Sequence, residues 1–418
     1  MALGQPAGRR LSPRAPGPLS PMAFDAALRR QMLDRVDTLV REHVAPRAAE
    51  IDAADEFPWD LWRAAAEAGL FGLGIPEEYG GLGRDLVTPL LISERLARAS
   101  AAFALTFNNT TDSVVPLVMA GGERIKAEYL PRLAAGELVP CLAISEPQGG
   151  SDVAAIATRA RCDGDSYVLD GRKMWCSNGA VGGVFTVFAR TDMDNGDPDA
   201  GHKGLSAFVV PREAEGFTVG PSEPLMGLRG SPVNELVLDG VRVAADARLG
   251  EEGEGFRMAM LTLDESRLHC AASALGVATA ALDLAIDYAR GRVQFGKPII
   301  EHQGLQFLLA ELATDLAAAR ALWEQTTARI ARHHDRAAST QAAMTKLFCS
   351  DLCMRITTEA VQVFGAAGLA ASGPVERLMR DAKAFQIYDG TSQIQKSVIG
   401  RQLQKTGLPF NYLDPAGV

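Results

Sequence analysis

The sequence lacks the closely spaced cysteine pairs that are typical of zinc-binding motifs. Its six cysteines are scattered over 418 residues, and no Cys-X-X-Cys occurs. We therefore expect free thiols in a reducing, cytoplasmic compartment. Cys349 and Cys353 lie four residues apart, a spacing at which two helix thiols can hold a metal. No further ligand lies near them in sequence, so buried thiols are expected there and no metal is predicted.

Long apolar runs and basic clusters are also lacking. No stretch of the sequence approaches the roughly 18 apolar residues that a membrane span requires, so we expect a soluble protein. The net charge is −9 and the pI is near 5.3. Nucleic acid and anionic membrane both favour a basic surface, so neither is expected as a partner. Small molecules or another protein are the expected partners.

The first 21 residues contain no acidic side chain. Three arginines and two serines give this stretch a superficial likeness to a transit peptide. Its five prolines prevent the amphipathic helix that such a peptide needs. We predict that residues 1–21 form a disordered tail, with Met22 as a candidate true start.

The remaining residues divide into three regions of different texture. Residues 22–138 place apolar side chains three and four apart, which predicts helices. Residues 139–249 alternate short β-branched and aromatic runs with turn residues, which predicts strands. Residues 250–418 return to helical spacing with many alanines, typical of close helix packing. The predicted fold class is α+β: an N-terminal helical domain, a central β-barrel or sandwich domain and a C-terminal four-helix bundle.

Two motifs in the predicted β domain suit a planar polar ligand. In "AISEPQGGSD", proline and paired glycines free the backbone from regular pairing and leave the hydroxyls of Ser145 and Ser151 available. In "GRKMWCSNG", Trp175 and Ser177 combine a flat apolar wall with a hydrogen-bonding group. Taken alone, the first motif fits an ordinary turn and Trp175 fits the core of the β domain.

Two motifs in the predicted C-terminal domain suit a charged ligand. "RVQFGKP" sets Arg292 beside Gln294 and Phe295, a combination that fits a phosphate and an aromatic base. "LDESR" sets Asp264 and Arg267 three residues apart on one helix face, where they could hold a polar ligand or pair with each other. A solvated helix end is the ordinary alternative for Arg292.

The fifth motif, "AFQIYDGTSQIQ", carries one acidic residue, Asp389. Asp-Gly is a common turn pair, so its local sequence favours a turn. The five motifs, their order and the domain texture together resemble the acyl-CoA dehydrogenase family across about residues 22–405. The resemblance implies two helical domains flanking a β domain, FAD bound between them, and a homotetramer arranged as a dimer of dimers.

The resemblance also implies roles for individual residues. Family positions that contact FAD correspond to Ser145, Trp175, Ser177, Arg292, Gln294, Gln362, Gly365, Thr391 and Gln393. Family positions that contact the acyl-CoA correspond to Ser151, Asp264, Arg267, Tyr388 and Gly390. Ala366 departs from the family's frequent Gly-Gly or Gly-Asn pattern, which puts that one FAD contact in doubt.

The catalytic base is the larger departure. Family members usually carry Glu where this chain has Asp389; that residue removes the α-proton while hydride passes to flavin N5. Aspartate is shorter by one C–C bond, about 1.5 Å. Some members place the base just before the arginine matched by Arg267, which makes Glu265 the alternative. Burial against flavin and apolar walls is expected to raise the pKa of Asp389.

A shortened base suits a substrate with extra bulk at Cα. Cyclohexane-1-carboxyl-CoA dehydrogenases of the family are similar in carrying an Asp base, so an alicyclic or α-branched acyl-CoA is the expected substrate. The alternatives are an ordinary short- or medium-chain or branched acyl-CoA, a nitroalkane-oxidase-like flavin oxidase, and an inactive flavin-bearing binding protein. The chain length resembles that of the dehydrogenases, which implies an electron-transferring flavoprotein as electron acceptor.

Overall fold

The computed structural model describes residues 26–83, 85–191, 201–332 and 336–407. The predicted tail, residues 1–21, lies outside these ranges. Within them, helices extend to Ala134, strands run from Pro140 to Leu249, and helices resume at Gly255. The predicted order of a helical, a β and a second helical domain is therefore confirmed.

The N-terminal part consists of six α-helices. Ser100 begins the longest of them, because its side chain accepts a hydrogen bond from Phe103 N at 3.3 Å. Trp62 stacks on Phe71 with ring centroids 3.9 Å apart, and its indole N–H donates to Gly136 O at 2.8 Å. The helices are α1 Ala26–Leu39, α2 Ala45–Ala54, α3 Trp59–Glu67, α4 Val87–Ala99, α5 Ala101–Ala120 and α6 Glu123–Ala134.

The described residues of the central part form one hydrogen-bonded sheet of eight strands. Its order is β6-β7-β3-β2-β4-β5-β8, with β1 parallel beside β4. Both faces of β4 are covered, since Phe188 packs into one buried cluster and Phe185 into the other. This explains why its sequence is almost wholly apolar. The strands are β1 Pro140–Ala143, β2 Arg159–Asp163, β3 Ser166–Ser177, β4 Val184–Arg190, β5 Leu205–Pro211, β6 Phe217–Ser222, β7 Val233–Ala244 and β8 Arg248–Leu249.

The C-terminal part contains five α-helices and a short hairpin. Its central helix is α7, which packs against α4, α5, α8 and α9. Close approach to α4 requires a glycine, since a Cβ on Gly276 would lie 2.3 Å from Glu94 O. The elements are α7 Gly255–Gly291, β9 Val293–Gln294, β10 Lys297–Pro298, α8 Gln303–Arg332, α9 Arg336–Phe364, α10 Pro374–Phe385 and α11 Ser392–Thr406.

Among the helices of the described ranges, α7 alone has the length and composition of a membrane span. Of its most apolar window, 78% is buried inside the protein. The same helix carries the buried charged residues Asp264 and Arg267. It is therefore the core helix of the C-terminal domain.

Candidate active site

Asp389 lies in the turn between α10 and α11. Its φ is 54° and that of Gly390 is 91°, so two successive residues adopt the left-handed region. Gln395 closes the turn, because its side-chain N–H donates to the carbonyls of Asp389 at 3.0 Å and Gly390 at 2.8 Å. Thr391 then begins α11 by accepting a hydrogen bond from Ile394 N. The turn expected from the Asp-Gly pair is present, and it holds the carboxyl in a defined place.

Asp389 is half-buried, and its carboxyl interacts with protein groups of both charges. Burial raises its pKa to about 6, while the positive charges of Lys346 and Arg267 oppose that rise. The pKa shift has the direction expected from the sequence. A carboxyl with a pKa near neutrality suits a general base, because it is ionised at working pH and still holds a proton well.

A second buried carboxyl, Asp112, was not predicted from the sequence. It lies on α5 and faces the Asp389 charge. Burial, followed by repulsion from Asp389, raises the pKa of Asp112 well above its ordinary value, although a hydrogen bond from Ser266 opposes the rise. The charge of Asp389 therefore favours the protonated form of Asp112. A polar run, "NNTTDS", inside an otherwise apolar helix was the available sequence signal.

Beneath Asp112 lies a buried polar network that joins three helices. His269 Nε2 is 3.9 Å from Asp112 Oδ1, and its Nδ1 is 2.7 Å from Ser93 Oγ. Ser93 in turn donates to Asn108 Oδ1 at 2.6 Å. Burial lowers the pKa of His269 to about 3, so the imidazole is neutral at physiological pH. The network fixes α4, α5 and α7 at the floor of the site.

Lys346 on α9 was also missed. Its side chain is fully buried, and its Nζ donates to Gly390 O at 2.8 Å. Lysines are rarely buried without a carboxylate partner, so this residue is unusual. Its sequence context, "AAMTKLFCSD", is an ordinary amphipathic helix and gave no signal.

Asp264 and Arg267, predicted to bind CoA, are paired with each other. Arg267 Nη1 donates to Asp264 Oδ1 at 2.6 Å, and both side chains are buried. The Ser339 hydroxyl donates to the second oxygen of Asp264. Arg267 Nε has no hydrogen-bond partner among the described residues. Glu265, the alternative base, is buried beside them. Their contact with CoA remains a prediction.

The end of β3 brings two predicted cofactor residues together. Met174 N donates to Ser145 O at 2.9 Å, which ties "AISEPQGGSD" to "GRKMWCSNG". A bulge between Lys173 and Cys176 turns Trp175 outward, with φ 61° and 56% of its surface exposed. The interpretation of Trp175 as part of the β-domain core is therefore wrong. Its open ring beside half-buried Ser145 fits a planar heteroaromatic group.

Helix α5 connects this part of the site to the base. Asn109 Nδ2 donates to Ser177 O at 3.2 Å, and Asp112 lies three residues further along the same helix. Residues three apart on a helix share a face. The predicted flavin wall and the predicted base therefore lie along the same face of one helix. Ser151, predicted to contact CoA, is exposed in the loop between β1 and β2.

The other predicted FAD residues lie on the surface of the C-terminal domain. Gln294 belongs to the exposed strand β9, and Arg292 immediately precedes that strand. Phe295, which follows the strand, is 94% exposed and has a φ of 52°. Gln362 is exposed near the end of α9, followed by Gly365 with φ 60°. Gln393 is exposed on the first turn of α11 and Tyr388 is half-buried beside the base. This surface group and Trp175 belong to different domains of the described chain.

Family models cover nearly the whole described chain. Those for the acyl-CoA dehydrogenase N-terminal, middle and C-terminal domains match residues 27–137, 141–241 and 253–404. A probable acyl-CoA dehydrogenase, FadE25 of Mycobacterium tuberculosis, is 42% identical over 373 residues, or 89% of this chain and 94% of the relative. A cyclohex-1-ene-1-carbonyl-CoA dehydrogenase of Geobacter metallireducens is also 42% identical over 373 residues, with 89% and 96% covered.

Solved structures agree with these matches. Butyryl-CoA dehydrogenase from Megasphaera elsdenii is 35% identical, with a TM-score of 0.86 over 92% of this chain and all of that one. A glutaryl-CoA dehydrogenase from Mycobacterium smegmatis, solved with FADH2, is 29% identical, with a TM-score of 0.83 over 92% and 97%. A chain from work on the electron transferring flavoprotein of Acidaminococcus fermentans is 37% identical, with a TM-score of 0.85 over 90% and 97%. The chain belongs to the acyl-CoA dehydrogenase family of FAD-dependent oxidoreductases.

Proposed function

We propose that this enzyme dehydrogenates an alicyclic or α-branched acyl-CoA, with cyclohexane-1-carboxyl-CoA as the favoured substrate and Asp389 as the base. The observation that carries the proposal is the carboxyl of Asp389, with its pKa near 6 and two nearby cations. A relative 42% identical to this chain that is named for a six-membered-ring thioester supports the same substrate class.

The reaction requires two hydrogens to leave adjacent carbons. A carboxylate oxygen of Asp389 takes the proton from Cα, and a hydride leaves Cβ, so that a C=C double bond forms between them. When bound, FAD supplies the acceptor for that hydride. Asp389 returns its proton to solvent after the unsaturated product leaves. The exposed ring of Trp175 and the hydroxyls of Ser145 and Ser177 are the groups that would hold the flavin.

The length of the base connects this chemistry to the substrate. Asp389 places its carboxyl about 1.5 Å closer to its own backbone than a glutamate would. A ring at Cα carries extra bulk towards the base and needs that space. A straight acyl chain leaves a gap, which weakens proton transfer because a base must come within about 3 Å of its proton.

A second candidate substrate is a cyclohex-1-ene-1-carbonyl thioester, favoured by the second buried carboxyl. In such a substrate C1 already carries a double bond and has no proton to lose, so a proton must leave another ring carbon. Asp112 faces Asp389 from α5 as a second buried carboxyl; it can take that proton only in its ionised form, which its raised pKa restricts to higher pH. The relative from Geobacter metallireducens is named for this substrate.

An anaerobic bleaching panel tests these proposals. The yellow enzyme is mixed with cyclohexane-1-carboxyl-CoA, cyclohex-1-ene-1-carbonyl-CoA, isobutyryl-CoA, butyryl-CoA and octanoyl-CoA, and the loss of flavin absorbance is followed. We expect the first to bleach fastest. Preference for a straight chain would contradict the alicyclic substrate.

Asp389→Asn is expected to abolish bleaching while acyl-CoA still binds. Normal bleaching by this variant, together with no bleaching by Glu265→Gln, would assign the base to Glu265.

The electron acceptor, assembly and location are proposed with the activity. An electron-transferring flavoprotein is the proposed electron acceptor. The proposed assembly is a homotetramer, and the proposed location is the cytoplasm. Large exposed apolar side chains on the C-terminal domain support contact between subunits, notably Phe295, Phe307 and Leu369. Retained Asp264, Arg267 and Ser151, which match CoA-binding positions of the family, favour a CoA ester over the small substrates of a nitroalkane-oxidase-like enzyme. The acidic net charge of −9 disfavours a nucleic-acid-binding relative.

A further inference from the structure

Lys346 is a buried cation that no element of the proposed reaction uses. It lies in the middle of α9 with 0% of its surface exposed. Its Nζ donates to Gly390 O at 2.8 Å, and it makes no other hydrogen bond within the described residues. Burying an ammonium group is costly unless a charge or several dipoles compensate it. A methionine would fill the same volume without that cost.

The carbonyl that Lys346 contacts belongs to the base turn. The same Gly390 oxygen accepts a second hydrogen bond at 2.8 Å, from the buried side chain of Gln395 on α11. Asp389, immediately before it, holds a left-handed φ of 54°, which a non-glycine residue keeps only where its surroundings enforce it. The turn is therefore fixed from two sides, by α9 through Lys346 and by α11 through Gln395.

Lys346 also sets the charge around the base. The titratable groups that interact with Asp389 are Asp112 on α5, Arg267 and Cys270 on α7, its neighbour Tyr388, and Lys346 on α9. Glu265 on α7 acts on Asp112. The surroundings would favour a neutral Asp389 if the cations were absent. Of the two cations, Arg267 is already paired with Asp264, whereas Lys346 contacts a carbonyl.

We propose that Lys346 is a positioning residue of the reaction: it holds the base turn in its catalytic shape through the Gly390 carbonyl and keeps the Asp389 carboxylate ionised inside the closed site. The inference rests on the proposed role of Asp389 as the base. Hydrogen bonding and charge are separate contributions, and two variants separate them.

Lys346→Met removes both contributions and Lys346→Gln keeps a hydrogen-bond donor without the charge. The measurement is the rate of flavin bleaching by saturating cyclohexane-1-carboxyl-CoA between pH 5 and pH 9, with flavin content and Tm recorded for each variant. If another thioester bleaches the wild-type enzyme fastest in the bleaching panel, that thioester is used in place of cyclohexane-1-carboxyl-CoA. Neither variant leaves a buried unpaired charge, so both are expected to fold and bind FAD.

The positive charge of Lys346 lowers the pKa of Asp389, so its removal should raise that pKa and keep the carboxyl protonated up to a higher pH. We expect the acid limb of the profile to move upward by about one pH unit or more in both variants. At pH 6 the rate should fall about fivefold or more, with recovery towards alkaline pH. Lys346→Met should remain slower than Lys346→Gln at pH 9, because its turn is held from one side. The KM should change less than kcat.

Two controls keep the outcomes distinct. Lys396→Met removes an exposed positive charge on α11, next to Gln395, and should leave the profile unchanged. Asp389→Asn tests the proposed base itself, and bleaching by that variant would overturn the function rather than this inference. If Asp389→Asn is inactive while both Lys346 variants keep the wild-type acid limb and rate, Lys346 has no positioning role. A lower Tm with an unchanged profile would likewise reduce it to a structural residue.

Discussion

Arg267 Nη1 lies 2.6 Å from Asp264 Oδ1, and both side chains are buried on α7. The sequence left open whether these two residues bind a ligand or pair with each other. In the structure they pair, and Ser339 supplies a further hydrogen bond to the carboxylate. Removing either member breaks a buried ion pair, so the two residues are expected to behave as a unit.

A double-mutant cycle on this pair should reveal strong coupling. Asp264→Asn and Arg267→Gln are each expected to lower the free energy of unfolding by about 3 kcal/mol, because each breaks a buried ion pair. The double variant should cost less than the sum of the singles by about 2 kcal/mol. Urea denaturation measures the stability and KM for the CoA ester measures binding. Additive losses with a strongly raised KM would assign the residues to CoA instead of to each other.

The rate of flavin reduction should rise with pH through about 6. Below that value Asp389 is protonated and cannot accept the α-proton, and above it the carboxylate is available. Stopped-flow bleaching between pH 4.5 and 8, over the range where the enzyme stays folded, gives the profile. A rate that stays flat across this range would contradict Asp389 as the titrating base.

The same group has the opposite effect on stability. Its folded pKa lies above the unfolded value, so the folded state binds the extra proton. Its contribution to stability is fully present below about pH 4 and is lost as pH rises through about 6. At pH 8 the wild-type Asp389 is ionised and Asp389→Asn has no charge at that position. The variant should therefore be at least as stable as the wild type at pH 8. A large loss of stability at pH 8 in that variant would contradict this linkage.

Lengthening the base should change the preferred substrate. Asp389→Glu moves the carboxyl about 1.5 Å towards the substrate, into the space that a ring at Cα would occupy. We expect the ratio of kcat/KM for butyryl-CoA over cyclohexane-1-carboxyl-CoA to rise at least tenfold. Asp389→Asn, which keeps the shape without the charge, is the matched control and should lose both activities. An unchanged ratio would separate base length from substrate choice.

Close packing between α4 and α7 depends on Gly276. A methyl group there would lie 2.3 Å from the Glu94 carbonyl oxygen, and the backbone would have to move. Gly276→Ala should lower the free energy of unfolding by about 1–3 kcal/mol through overpacking. Gly400 on α11 is the matched control, since nothing lies within 4 Å of its Cβ position. Gly400→Ala should add about 0.5–1 kcal/mol through helix propensity. Equal effects in thermal denaturation would contradict the close contact.

Local sequence patterns decided much of the architecture. Helical spacing and β-branched runs are local features of the sequence, so the order of the three domains could be predicted before any contact was known. The buried state of Cys349 and Cys353 followed in the same way, from helix context and the lack of nearby ligands. The family and its FAD chemistry were recognisable because five motifs occur in a fixed order, and Asp389 was visible within one of them.

Tertiary structure alone decided the surroundings of that base. Asp112, Lys346 and Asp389 belong to three segments that are remote in sequence, and only the packing of α5 and α9 against the base turn makes their charges act on one another. Trp175 is exposed because a bulge turns it out of the sheet, which its apolar ring did not indicate. Local pattern fixes which residues form an element, whereas long-range charge and burial depend on which elements meet.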